Sequence, residues 1–401
     1  MKIAAIIAEY NPFHNGHAYH IAETKKLTGA EAVVAVMSGS FVQRGEPAVA
    51  DKYLRAHAAV LGGCDLVIEL PAVFALGSAQ RFACGAVSLI GGMGCVSALS
   101  FGSECGDIEK LRELNRAIRS EEFAARQQEI FSEGTSYPAA RAAAAREFVS
   151  VELADMLSQP NNILALEYIN EAERLFPSLS LITVPRTGAS HDSMETFGAF
   201  SSASALRESK GADMTRFVPE RCLALYRDAI DRGVFYVSTS DFDELVLSHL
   251  IRLSPYELSR LPDVSEGLEN RIYDAARQSQ SLSELYERVK SKRFTHSRLR
   301  RVIMCAYLGI KKSDTDAPPA YIRVLAQNKT GSRVLREMKQ TAALPIITKA
   351  AHISRYGEAA QAQFDIEERA TRLYAYAIKD REYRRALNDY KRSAQVIGAM
   401  E

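Results

Sequence analysis

At 401 residues the chain exceeds the roughly 250–300 residues at which one core stops growing, so two domains are expected. A composition of 47% hydrophobic and 25% charged residues is that of a soluble globular protein, and the net charge is only +1. No apolar run approaches the ~20 residues that span a bilayer, and the first, Lys2–Ala8, is too short for a signal-peptide core, so a cytosolic protein is expected.

In chain order, Ile3–Ala8, Ala32–Met37, Leu66–Leu70 and Val96–Phe101 read as buried strands. Helical patterns over Gly16–Thr28, Asp51–Leu61 and Ser78–Ile90 lie between them. This alternation predicts an α/β fold, a parallel sheet with helices on both faces. Asp107–Ser158 reads as continuously helical, with Ser136-Tyr137-Pro138 as a helix start. Pro160-Asn161-Asn162 opens a further helix over Ile163–Leu175, and Leu179–Val184 is another strand. Beyond about Gly211 the alternation fades into helices, broken near Gly233, Ser254-Pro255 and Pro318-Pro319. The expected division falls at Gly211–Pro219, separating residues 1–215 from a mainly helical 216–401. Six scattered cysteines form no C-x-x-C pair, so they are expected to be reduced, with no structural zinc.

The small net charge hides an asymmetry. Lys290–Lys349 holds fourteen Lys or Arg against three acids (Asp314, Asp316, Glu337). Lys292, Arg293, Arg298, Arg300 and Arg301 form its densest part, with Phe294 and His296 interleaved. A solvated helical face and a polyanion-binding surface explain such a run about equally well.

Ligands of parallel sheets bind beyond the carboxyl ends of the strands. Ile7 and Ala8 end the first strand there. The string Glu9-Tyr10-Asn11-Pro12-Phe13-His14-Asn15-Gly16-His17 follows and leads through Ala18-Tyr19-His20 into a helix. A helix N-terminus offers unpaired N–H groups and partial positive charge to phosphates. His14 and His17, three apart, can face one side of its first turn and donate to an α-phosphate and to departing pyrophosphate. Gly16 lets a triphosphate approach the backbone. No third ligand accompanies the two histidines, so a protein-held metal is not expected.

Three further strings carry candidate roles. Ser38-Gly39-Ser40-Phe41-Val42-Gln43-Arg44-Gly45-Glu46 follows the second strand, where Gln43 and Arg44 can supply donors to an anion and Ser38 a hydroxyl. Gly102, in Phe101-Gly102-Ser103-Glu104, leaves room for an adenine or ribose. Asn161 and Asn162 either read a nucleotide or cap their helix. Last, Arg186-Thr187-Gly188-Ala189-Ser190-His191-Asp192 precedes Ser201-Ser202-Ala203-Ser204-Ala205-Leu206-Arg207. Ser202, Ser204 and Arg207 there can hold β- and γ-phosphates.

Together these strings resemble the bacterial tRNA(Met) cytidine acetate ligase family, a branch of the H-x-G-H nucleotidyltransferase superfamily. The resemblance is dense over Ala8–His17, Ser38–Ala48, Phe101–Glu104, Gln159–Tyr168 and Arg186–Asp192. The C-terminal half resembles the family only in being helical and basic. Ser40 stands where the family pattern has Asn, and Ser204 where it has Thr.

The resemblance implies a Rossmann-like ATP-binding unit over 1–215 and a tRNA-binding unit over 216–401. It implies ATP contacts at Ile7–His20, Gly102, Asn161 or Asn162, and Arg186. His14, His17, Ser38 and Arg44 become the candidate catalytic side chains. ATP with Mg2+ and acetate would form acetyl-adenylate, and elongator tRNA(Met) would accept the acetyl group at its wobble cytidine. No membrane and no obligate protein partner are expected. Two other readings stay open. One is an adenylyltransferase acting on a small phosphorylated cofactor precursor, which would not need the basic segment. The other is an RNA-binding protein without catalysis, against which both intact histidines and Gly16 argue.

Overall fold

A computed structural model describes residues 1–186, 203–208, 214–291 and 293–398. Thr187–Asp192, Ser202 and Lys292 lie outside the described residues.

The strands are β1 (Ile3–Ala8), β2 (Ala32–Ser38), β3 (Phe41–Val42), β4 (Glu46–Pro47), β5 (Leu66–Leu70), β6 (Ala98–Ser103), β7 (Ser180–Pro185), β8 (Ile322–Gln327), β9 (Ile346–Ile347) and β10 (Gln395–Val396). β3 and β4 form a separate small hairpin. The main sheet runs β10-β8-β5-β2-β1-β6-β7, with β9 also paired to β8. Every pairing in it is parallel except β5 with β8. The inner strands IAAIIA and AVVAVMS are unbroken small and β-branched runs because both faces are covered. Their helices begin where polar caps stand: Asp51 accepts from Tyr53 N and Leu54 N, and Ser78 from Arg81 N.

Strand order places the site. From β1 the chain steps outward to β2 and β5, then returns to lay β6 and β7 on the other side of β1. The reversal opens a crevice at the carboxyl ends of β1 and β6, where such sheets take ligands.

Two expectations are corrected. Residues 108–158 are not one helix. They form helices Ile108–Ile118, Glu121–Ser132, Tyr137–Phe148 and Val151–Asp155 and a 3-10 turn, each of the last three helices restarted by a serine cap (Ser120, Ser136, Ser150). Nor is 216–401 a separate helical body. It returns β8, β9 and β10 to the sheet, and one continuous apolar core runs from Ile3 to Leu387. β8 escaped notice because Arg323 interrupts its apolar run, and that arginine is buried in an ion-pair cluster. Lys52 Nζ lies 2.6 Å from Glu69 and 2.8 Å from Asp389. Arg323 lies 2.9 Å from Asp389 and 3.1 Å from Glu69.

Candidate functional site

β1 ends at Ala8, and Glu9–Phe13 turn across the sheet edge into helix Asn15–Thr28. His14 is the N-cap of that helix, and the two histidines form a reciprocal capping box. His14 Nδ1 accepts from Gly16 N at 3.0 Å, and His17 Nδ1 accepts from His14 N at 3.3 Å. The rings stack with centroids 3.8 Å apart. With both Nδ1 atoms accepting, each neutral ring carries its proton on Nε2 and keeps that donor for a ligand. A Cβ on Gly16 would lie 2.9 Å from His14 Cε1, so the glycine is required first by the neighbouring imidazole.

Burial holds these rings neutral. It pushes His14 down to about 3, helped by Arg186 and Arg207. It pushes His17 well below the usual imidazole value, with His14 and Arg186 adding to it. His20, whose Nε2 sits 3.0 Å from Ser100 Oγ, is pushed down to about 4 by burial and Arg186. The folded chain therefore binds fewer protons than the unfolded one below about 6.5. These rings cost no stability above that pH and progressively more as pH falls towards the depressed values. His20→Gln is expected to flatten the fall of melting temperature between about pH 6.5 and 4. An unchanged slope would remove His20 from the explanation.

The histidines open onto a cleft of about 930 Å3. Of the expected ATP residues, Ile7, Ala8, Glu9, Tyr10, Asn11, Gly16, Tyr19, His20, Gly102, Asn161, Arg186, Ser204 and Arg207 line it, as do His14, His17 and Arg44. Arg207 Nη1 donates to Asn11 O at 2.8 Å and Nη2 to Ser204 Oγ at 3.2 Å. Glu9 accepts from Gln43 N at 2.8 Å, and burial raises its pKa against that hydrogen bond and the nearby Arg207 and Arg44.

Glu104 organises the opposite wall. Gln159 offers helix Pro160–Leu175 no side-chain cap. The Glu104 carboxylate caps it instead, accepting from Asn161 N at 3.2 Å and Asn162 N at 2.8 Å. Asn161 then accepts from Arg186 Nη1 at 3.3 Å, which fixes both beside Gly102.

Other expected residues lie elsewhere. Asn162 is fully buried and braces the backbone N–H groups of Glu104 and Cys105, so it positions the wall rather than lining it. Ser38 is fully buried at the end of β2, with its Oγ unpartnered, and does not line the cleft. Phe13 is core, with its N–H donated to Tyr226 at 3.1 Å. Pro12, Asn15 and Ala18 are also off the cleft wall, and Asn15 Nδ2 donates to Arg216 O at 3.1 Å.

The basic segment divides between surface and cleft, with Lys290, Lys311, Lys312, Arg333 and Arg336 exposed. Arg300 and Arg301 line the cleft. Arg300 Nη1 pairs with Glu46 Oε1 at 2.5 Å. Arg301 is 12% exposed and stands 4.0 Å from Asp263. Arg298 donates to Asp263 O at 3.0 Å and Ser265 Oγ at 2.8 Å. Arg293 is the outward one, 69% exposed and 3.3 Å from Glu266.

Sequence reasoning missed three contributors. Tyr137 and Arg141 reach the cleft from the helical insertion, and only the Ser136-Tyr137-Pro138 start marked their helix. Arg55, fully buried, donates to Ala50 O at 3.0 Å, Glu9 O at 2.6 Å and Ser38 O at 3.1 Å, and also to Gly39 O. It staples the ends of β1 and β2 together beneath the site, and nothing in the sequence around it signals that.

The family model for HIGH nucleotidyl transferases matches residues 1–389. A tRNA(Met) cytidine acetate ligase of Thermoanaerobacter sp. (strain X514) is 38% identical over 392 residues, covering 95% of this chain and 96% of that protein. One from Acetivibrio thermocellus is 34% identical, covering 99% of this chain and all of that protein. This chain belongs to the tRNA(Met) cytidine acetate ligase family. The crystal structure of apo Thermotoga maritima TmcAL superposes with a TM-score of 0.93 at 33% identity, covering 99% of each chain. The form of that protein bound with alpha-thio ATP gives 0.91 at 32% identity, covering 99% of this chain and 100% of that one. Family membership extends over both halves, including the basic segment that the N-terminal strings left unexplained.

Proposed function

We propose that this protein acetylates the wobble cytidine of elongator tRNA(Met), using ATP to activate acetate. The pair of neutral, stacked imidazoles at the helix N-terminus carries the reading. Their Nε2–H donors face the cleft that a nucleotide of this family would enter. An acetate oxygen attacks the α-phosphorus, the bond to the pyrophosphate oxygen breaks, and the two donors stabilise charge that grows in the transition state. The cytidine N4 amine then attacks the acetyl carbonyl, AMP leaves with the bonding electrons, and the amine loses a proton. Gly102, Asn161 and Arg186 hold the nucleoside end, while Ser204 and Arg207 face the polyphosphate. Arg44 supplies a further cation beside Glu9.

Mg2+ carried in with the nucleotide would supply further neutralisation of charge on the departing pyrophosphate. Among the described residues no group of three metal-ligating side chains stands together. The residues assigned to the nucleotide all lie before residue 216, while the basic segment, part of which lines the same cleft, grips the RNA. No described helix is long and apolar enough to cross a membrane, and a tRNA substrate places the protein in the cytoplasm.

The test is mass spectrometry of nucleosides from tRNA incubated with protein, ATP, magnesium and acetate. Acetylated cytidine and AMP are expected, and excess chelator should abolish both. Product formed only from acetyl-coenzyme A would overturn the adenylate route.

A further inference from the structure

Beside the cleft lies a second hollow of about 310 Å3, lined by Arg81, Asp263, Ser265, Arg298, Lys312 and Thr315 among others. The two cavities share two walls. The first turn of helix Ala79–Gly92 sends Ala79 and Phe82 to the cleft and Arg81 to the hollow. The first turns of helix His296–Leu308 send Ser297 and Arg300 to the cleft and Arg298 to the hollow. Two helices of 14 and 13 residues thus turn their positive N-terminal ends to the boundary between the cavities.

The hollow keeps its positive charge. Arg298 spends its hydrogen bonds on neutral acceptors, Asp263 O and Ser265 Oγ, and Arg81 donates to Thr315 O. Among the described residues no carboxylate stands within ion-pair distance of Arg81, Arg298 or Lys312. The one acid lining the hollow, Asp263, faces Arg301 at 4.0 Å.

We infer that this hollow is a phosphate subsite for the RNA backbone next to the target cytidine; the inference rests on the function proposed above. A base must leave its stack to reach an adenylate beside His14 and His17. Its neighbouring backbone phosphate then lies just outside the cleft. Phosphate contacts of this kind set the register of a strand without reading its sequence.

The test compares the wild-type chain with Arg81→Gln/Lys312→Gln, and with Lys312→Gln alone, since Lys312 is exposed. The KM for tRNA should rise about tenfold in the double variant, with a smaller rise for Lys312→Gln alone. The salt dependence should flatten by about 0.7 per lost contact on a single strand. Pyrophosphate release from ATP and acetate without RNA should be unchanged. An anticodon stem-loop with methylphosphonates flanking the target cytidine should bind the wild type more weakly and the double variant no more weakly still. Unchanged KM, or losses that simply add, would overturn the subsite. A raised KM for ATP with an unaltered one for tRNA would instead assign the hollow to the triphosphate, and also overturns it. A wild-type chain that acetylates no RNA would bring down the function and the subsite together; one that does so while the variants match it brings down the subsite alone.

Discussion

His14→Ala and His17→Ala should each slow pyrophosphate release from ATP and acetate by roughly 10²–10³-fold. Each change deletes one Nε2–H donor facing the cleft. ATP affinity should fall much less, because such contacts strengthen chiefly as charge develops in the transition state. Both rings also accept a backbone N–H in the capping box, so an alanine also removes a cap worth about 0.5–2 kcal/mol of stability. His14→Asn separates the two effects. It can keep the cap while losing reach into the cleft, so stability should recover and rate should not. Rates within a few-fold of wild type in both alanine variants would remove the imidazoles from the chemistry.

Asp389→Ala should be the most destabilising of the substitutions considered, at about 3–5 kcal/mol. Asp389 is fully buried and accepts from Lys52, Arg323, Thr371 and Tyr53. Burial opposes its charge, yet Arg323 and Lys52 outweigh that and hold its carboxyl well below the usual range. Removing it leaves Lys52 and Arg323 sharing Glu69 in a dry interior. Glu367, raised by burial and by Glu69, borders the same cluster. Urea unfolding should show the loss as a lower midpoint. A shift under about 1 kcal/mol would mean that the cluster relaxes around water or that its charges are not held as described.

Much of the N-terminal half was legible because parallel strands are buried on both faces and so appear as plain apolar runs. β1 and β5 fall on the expected residues, β2 ends one residue later at Ser38, and β6 is shifted two residues to Ala98–Ser103. The same plainness hides direction. A run with no alternation cannot say which way Ser38 points, and it points into the core. Asn161 and Asn162 are adjacent in sequence but about 100° apart around a helix, so only one reaches the cleft. β8 and Arg55 were illegible for a common reason: a buried charge is recognisable only by partners distant in sequence, Asp389 for Arg323 and the loop carbonyls for Arg55. Within the basic segment, net charge does not reveal that Glu46 meets Arg300 inside the cleft.

The return of β8 to the sheet has a cost during synthesis. β5 ends at Leu70, but the strand that covers its open side is not complete until Gln327. At about 5–20 residues per second, the ribosome leaves that edge uncovered for roughly 13–50 s. Throughout that interval Glu69 has Lys52 beside it in the sequence already made, but neither Arg323 nor Asp389. A charged side chain near the end of a waiting edge discourages pairing with another nascent chain, because such pairing would have to bury it with Lys52 alone as its partner. Glu69, which the cluster locks in the finished protein, therefore also guards the unfinished one.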